Sequence, residues 1–338
     1  RDLVSAELDE IARAHGTPRR TVLLESDGST EVGRSAALPL EVADDPCFVL
    51  LSGTGLVART ADSAPPVREG DRRAHDALLA RIPATARGQV GVVTSAGRAL
   101  RLDVLDIPVA TGAPSVADRG RLRELLPLAE EERAVGLIDL SEEAAPATFA
   151  TARGRIKRLA VSHPGKDSWE VISLEEGDAV IGCGHCADAD QIVLISSDAH
   201  LLRFDGSSVR PQGRAGRGVA GMRLGAEVTV IALGVVPGDD VGGTLVATVS
   251  GSSDALDGTM AGTAKVTPLD RFPAKGRGTG GVRAQRFLRG EDCLQLAAVG
   301  EAPLHAVGAG GQPVDLPEVD ERRDGSGQPL TAPIVAIG

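Results

Sequence analysis

The chain has 338 residues, of which only 2% are aromatic and none is tyrosine, with 42 glycines, 20 prolines and a net charge of −11. Its core must therefore be built from Val, Leu, Ile and Ala, and the Gly and Pro content favours many short strands over long helices. The net charge argues against a simple nucleic-acid binder, no apolar run reaches the roughly 18–20 residues that cross a bilayer, and the start at Arg1 has no secretory signal pattern.

Residues 1–16 read as a helix, with Val4, Leu8 and Ile11 on one stripe, Gly16 at its end and Pro18 just beyond. A helix with one apolar stripe needs a partner, so it reads as the end of a longer element. Glu31–Asp45 and Ala61–Ala86 are irregular, and the second is expected to be a long surface loop. Four segments then share a strand, a tight turn and a second strand with a basic residue four positions after the turn residue. They are 49–59, 91–101, 147–158 and 193–203, with turns at Gly55, Gly97, Gly154 and Ala199 and basic residues Arg59, Arg101, Arg158 and Arg203. A fifth copy runs from Thr244 to Val266 around a Gly/Ser-rich insertion. A sixth, degenerate copy is placed from Cys293, with His305 near the basic slot.

Between the hairpins a second element recurs, a Leu and an acidic residue leading into an apolar strand, at 128–140, 174–182, 224–233 and 288–299. Repeats of roughly 40–50 residues with several short strands each are the signature of a propeller-like ring, and six units fit the length. The stretch from Gln312 is Pro-rich and acidic, and its apolar end, PIVAIG, is placed to add a strand that closes the ring.

Two loops are dense in Gly and Arg. One carries Arg210, Arg214, Arg217 and Arg223; the other carries Lys275, Arg277, Arg283, Arg286 and Arg289. Glycine lets a backbone approach a ligand closely, and the guanidinium group suits phosphate oxygens. Residues 201–290 hold 12 basic and 7 acidic residues, a local balance of +5 against −16 elsewhere, so an acidic protein can still present a basic face. Solvated surface charge is the competing reading. Nothing points to base readout, so binding is expected to depend on shape and bending. Arg98, Arg155 and Lys157, near the hairpin turns, are well placed to meet the same ligand. For Arg59, Arg101, Arg158 and Arg203 a structural and a rim role weigh equally.

Cys183 and Cys186 form a Cys-x-x-Cys pair, but it precedes a polar turn and a strand rather than opening a helix, and Cys47 and Cys293 are single. This argues against redox or zinc chemistry and for a reduced, cytosolic protein. Trp169 reads as core. No phosphate-binding G-x-x-x-x-G-K-(S/T) is present. The acidic stretch Asp315–Asp324 has two readings, a solvated tail or a segment that lies on the basic rim and competes with DNA.

The segments GTAKVTPLDRFPAKGRGTGGVRAQRF (262–287), VRPQGRAGRGVAGMRL (209–224) and SAGRALRLDVLDIP (95–108), in that family's order, resemble the C-terminal domain of the DNA-cleaving A subunit of the bacterial type IIA topoisomerases, DNA gyrase and topoisomerase IV. ELDEIARAHGTPRRT (7–21) resembles the end of the coiled-coil helix that precedes it. The resemblance implies an all-β, six-bladed β-pinwheel over 31–338, with 1–30 as the helix end and linker. It implies a basic rim around which double-stranded DNA bends, with Arg98, Arg101, Arg155, Lys157, Arg203 and the two Gly/Arg sets as contacts. The catalytic tyrosine would lie upstream, consistent with a chain that has none and cannot form a phosphotyrosyl link. No cofactor is expected in this chain; ATP and Mg belong to the parent complex. The partners implied there are the rest of the DNA-cleaving subunit and the separate ATPase subunit, in the cytoplasm on the nucleoid. Gyrases carry a basic Gly-rich box in the first blade, whereas the corresponding stretch here interleaves Arg68, Arg72 and Arg73 with Glu69 and Asp71. That departure favours topoisomerase IV over gyrase; a protein-interaction propeller is the alternative from another class.

Overall fold

In the computed structural model each sequence repeat is a β-hairpin whose turn residue has left-handed backbone: φ is 84° at Gly55, 76° at Gly97, 77° at Gly154 and 59° at Ala199. Positive φ gives a tight connection the twist its flanking strands need, and glycine reaches it without the Cβ penalty that Ala199 bears. The structure describes residues 43–338, apart from 67, 69, 111–119, 161–163 and 256–259, together with Val4 and Arg13. The chain divides into Arg1–Val42 and a compact unit, Ala43–Gly338. Of the first unit only Val4 and Arg13 are described, both helical, so the expectations for 1–30 otherwise lie outside the described residues.

The compact unit is a six-bladed all-β ring. The hairpins of the first five blades are Pro46–Ser52 with Leu56–Arg59, Gln89–Thr94 with Arg98–Asp103, Ala147–Thr151 with Arg155–Leu159, Gln191–Ser196 with His200–Asp205, and Thr244–Gly251 with Thr263–Pro268. The first strand of each hairpin also pairs antiparallel with an inner strand. The inner strands are Leu78–Thr85, Ala134–Asp139, Val180–His185, Val230–Val236 and Cys293–Glu301. These five and Ala336–Ile337 of the last blade touch one another in succession, and Ala336–Ile337 returns to Leu78–Thr85, so the ring is closed.

The outermost strand of each of these blades comes from further along the chain. Gly120–Arg121 pairs with Leu56–Arg59, Ser168–Glu170 with Arg98–Asp103, Val219–Ala220 with Arg155–Leu159, Val282–Arg283 with His200–Asp205, and Gln328–Pro329 with Thr263–Pro268. In every case the lent strand follows the hairpin of the next blade, so consecutive blades are laced together. The sixth blade, of Pro313–Val314, Ala306–Val307 and Ala336–Ile337, has three strands among the described residues. The apolar cores lie between neighbouring blades. One joins Val49, Leu51 and Ile82 to Val90, Val92 and Leu100; another joins Val193, Ile195 and Leu201 to Val246, Leu269 and Phe272. Burying both faces of each sheet against its neighbours is how a chain poor in aromatic residues assembles a large core.

Three expectations change. Ala61–Ala86 is not all loop, because Leu78–Thr85 is the inner strand of the first blade. Arg81 and Pro83 hide it in the sequence, and Pro83 is tolerated because this strand is the free edge of its sheet. Cys293–Glu301 is the inner strand of the fifth blade, and the sixth begins at Ala306. The acidic stretch is not a free tail. It supplies Pro313–Val314 to the sixth blade, bridges Val266 through Val319, and delivers Gln328–Pro329 to the fifth. The seam between the last and first blades holds one of the Arg residues compared with the gyrase box. Arg72 grips Asp76 at 2.6 and 2.9 Å and donates to the Ala306 carbonyl at 2.8 Å, while His305 Nδ1 lies 3.5 Å from Asp76.

Candidate nucleic-acid interface

The candidate surface is built by the segments that cross from one blade back to the previous one. After its hairpin the chain makes a single 3-10 turn, at Val104–Asp106, Gly206–Ser208 or Leu269–Arg271, and then buries an apolar residue, Ile107, Val209 or Phe272. It docks on the preceding blade beside the basic slot: Arg59 bridges Val109, Leu159 bridges Gln212, Arg203 bridges Ala274 and Val266 bridges Val319. Backbone bonds fix the contact, from Gln212 N to Arg158 O at 2.8 Å and from Lys275 N to Arg203 O at 2.8 Å.

That docking resolves the roles of the slot residues. Arg59 donates to the Ile107 carbonyl at 3.3 Å. Arg101 donates to Pro164 O at 2.6 Å and Gln89 Oε1 at 2.7 Å and covers the Trp169 ring at 5.4 Å. Arg158 is buried, with bonds to the carbonyls of Cys186, Gly206 and Val209 and to Asp188. Arg203 is half-buried, with its Nε removed from solvent. The guanidinium groups of Arg59, Arg101 and Arg158 satisfy carbonyls left over at the crossings, a structural task. The Arg101 guanidinium is thus engaged within the protein, while that of Arg203 makes no side-chain hydrogen bond among the described residues.

The residues near the turns also have partners within the protein. Arg98 is held by Glu132 through two bonds of 2.7 and 2.5 Å, and the guanidinium lowers the Glu132 carboxyl to about 2. Arg155 donates to the carbonyls of Arg217 at 2.9 Å and Gly218 at 3.0 Å. Lys157 is fully buried, and its ammonium donates to the carbonyls of Val171, Arg214 and Gly216 at 2.7, 2.6 and 2.8 Å. Burial lowers its pKa to about 8. An ammonium with three carbonyl acceptors and no solvent face cannot meet a phosphate, so Lys157 is a correction to the sequence reading. Lys265 repeats the arrangement in the fifth blade, bonding Thr267 Oγ1 and the carbonyls of Ala284 and Arg323. Sequence reasoning passed over Lys265, although it stands in the second strand of its hairpin as Lys157 does.

The two Gly/Arg loops are what remains exposed. Arg210, Arg214, Arg217, Arg223, Lys275, Arg283 and Arg289 face solvent and make no side-chain hydrogen bond or ion pair among the described residues. Arg286 is exposed and reaches Ser326 Oγ at 3.3 Å. Arg277 is half-buried and joins the loops, donating to Ser208 O at 3.1 Å and Ala220 O at 2.5 Å. Backbone bonds complete the join, from Gly278 N to Gly221 O at 2.7 Å and from Arg223 N to Thr279 O at 3.1 Å. The two crossings are thus one continuous strip over the third to fifth blades, with nine basic residues and no acidic one across 210–223 and 274–289.

Two of the glycines serve the fold rather than a ligand. Gly218 and Gly281, just before the lent strands, have φ of 71° and 74°, and a Cβ on either would sit 2.6 Å from Ile156 O or 2.3 Å from Leu201 O. The Cys-x-x-Cys pair is free thiol, and desolvation pushes Cys183 up to about 12 and Cys186 up to about 11, the opposite of an activated thiolate.

Residues 190–237 and 258–299 match the family model described as DNA gyrase C-terminal domain, beta-propeller. The DNA gyrase A subunit of Deinococcus deserti is 28% identical over 295 residues, covering 82% of this chain and 34% of that protein. The DNA gyrase A subunit of Mycolicibacterium smegmatis is 29% identical over 315 residues, covering 88% and 35%. The chain spans about a third of the length of these curated relatives. In fold it is similar to the C-terminal domain of DNA topoisomerase IV, at a TM-score of 0.66 and 18% identity over 88% of this chain and 94% of that one. It is also similar to the DNA gyrase A C-terminal domain, at a TM-score of 0.57 and 16% identity over 87% and 99%. Family model, relatives and strand-lending ring point the same way: the chain is similar to the C-terminal β-propeller domains of the type IIA topoisomerase A subunits, and it has their fold.

Proposed function

We propose that this chain is the DNA-binding and DNA-bending module of its parent topoisomerase, most like that of topoisomerase IV, and that it guides duplex for strand passage without chemistry of its own. The observation that carries the reading is the strip itself, nine basic residues on two interlocked crossings with no acid among them. Exposed guanidinium groups on a curved perimeter contact phosphates, which position a duplex without reading its bases, and the curvature favours DNA that bends. DNA cleavage, with ATP and Mg, belongs to the parent complex in the cytoplasm, and the ATPase subunit and the rest of the DNA-cleaving subunit are the partners. The gyrase reading draws on the names of the relatives. The topoisomerase IV reading draws on the missing basic box and on Arg72 being engaged in the seam.

Binding is expected to be electrostatic. With about five phosphates neutralised, log K against log salt falls with a slope of about −4 to −5, at about −0.9 per contact. Arg214→Ala with Arg217→Ala weakens binding evenly across DNA sequences. A flat salt response removes the reading, and strong trapping of supercoils that grows with DNA length turns it toward gyrase.

A further inference from the structure

The third crossing in the series, residues 319–329, has the architecture of the two basic ones. It docks through Val319 on Val266 as Gln212 does on Leu159 and Ala274 on Arg203, and it ends in a two-residue lent strand. It also joins the strip edge to edge. Arg286 N donates to Gly325 O at 3.0 Å, and Arg286 bridges Ser326. A duplex following the perimeter from Arg210 through Arg289 therefore meets 319–326 next.

Its charge is reversed. The crossing carries Asp320, Glu321 and Asp324 against Arg322 and Arg323. Asp320 pairs with Arg322 at 3.0 Å, and Glu321 reaches over to Arg271 at 2.6 Å, so carboxylates cancel the basic residues at this point. Arg323 is half-buried, and its carbonyl is held by Lys265. Asp324 stands exposed. The backbone continues the track while the charge opposes phosphate.

Resting on the proposed function, we infer that the DNA track ends here: the carboxylates of 319–326 turn the duplex off the rim at the fifth blade, so the domain holds a limited arc of DNA rather than a full wrap. Carboxylates within a Debye length of the phosphates, about 10 Å at 0.1 M salt, repel them, and the effect fades as salt rises.

The test compares the full chain with a Glu321→Gln/Asp324→Asn variant by hydroxyl-radical footprinting and salt titration on linear duplexes of graded length. A control, Glu142→Gln/Glu143→Gln, removes two acids away from the track, with the same change in net charge. The wild type is expected to protect a stretch that stops growing with duplex length. The track variant protects a longer stretch at low salt, and its slope steepens by about 1.8 for two further phosphates; the control behaves as wild type. Equal footprints in all three proteins, or lengthening in the control as well, overturn the inference while leaving DNA binding intact. Absence of duplex binding in every protein sinks the functional reading and this inference with it.

Discussion

Lys157 Nζ lies 2.6 Å from the carbonyl oxygen of Arg214, so the residue that offers its guanidinium to solvent is held from beneath by a lysine that never reaches solvent. The same ammonium holds Gly216 and the Val171 carbonyl, which ties the third blade, its lent strand and the crossing into one joint.

Lys157→Met keeps the stem and strands three carbonyl acceptors, and is expected to cost about 2–4 kcal/mol by chemical denaturation. It should also expose 210–218 to proteases and weaken DNA binding. The pH dependence has a definite sign. The folded pKa of about 8 lies below the unfolded value, so between the two the unfolded chain binds more protons and stability from this group rises with pH. The gap between wild type and variant therefore widens above about pH 8; a constant gap would contradict the buried ammonium.

Glu132 is nearly buried against Arg98, and its carboxyl is lowered to about 2 by that side-chain bond. Its folded pKa is depressed, so its contribution is present above the unfolded value and lost as pH falls toward about 2. Glu132→Gln should cost about 1–3 kcal/mol at neutral pH and flatten the acid limb of the denaturation curve. An unchanged acid limb would count against the pair.

Gly154 turns the third hairpin at φ 77°, and a Cβ there would sit 2.7 Å from Met222 O. Gly154→Ala combines the left-handed penalty with a backbone clash and is expected to cost about 2–4 kcal/mol, seen as a lower denaturation midpoint at unchanged slope.

Cys183 and Cys186 should react slowly with a thiol reagent at pH 8 in the native chain and at once in denaturant, because desolvation holds both protonated. Fast native labelling of either would contradict their placement.

The hairpins, the inner strands from 128–140 onward and the family resemblance are legible in the residues alone. Each hairpin is announced by a residue that must take positive φ and by flanking apolar strands, and both signals act over a few neighbouring residues. The lent strands are not legible, because Val219–Ala220 and Val282–Arg283 are two residues long and have no period; they are strands only because a distant hairpin pairs with them. Nor can the strand RIKRL say which of its basic residues meets water. In an isolated hairpin Lys157 would point to the rim, but the crossing of 212–218 passes over it and makes carbonyls, rather than solvent or phosphate, its partners. Local conformational preference settles where the chain turns. Which charge is buried depends on which remote segment covers it, and that is a property of the assembled ring.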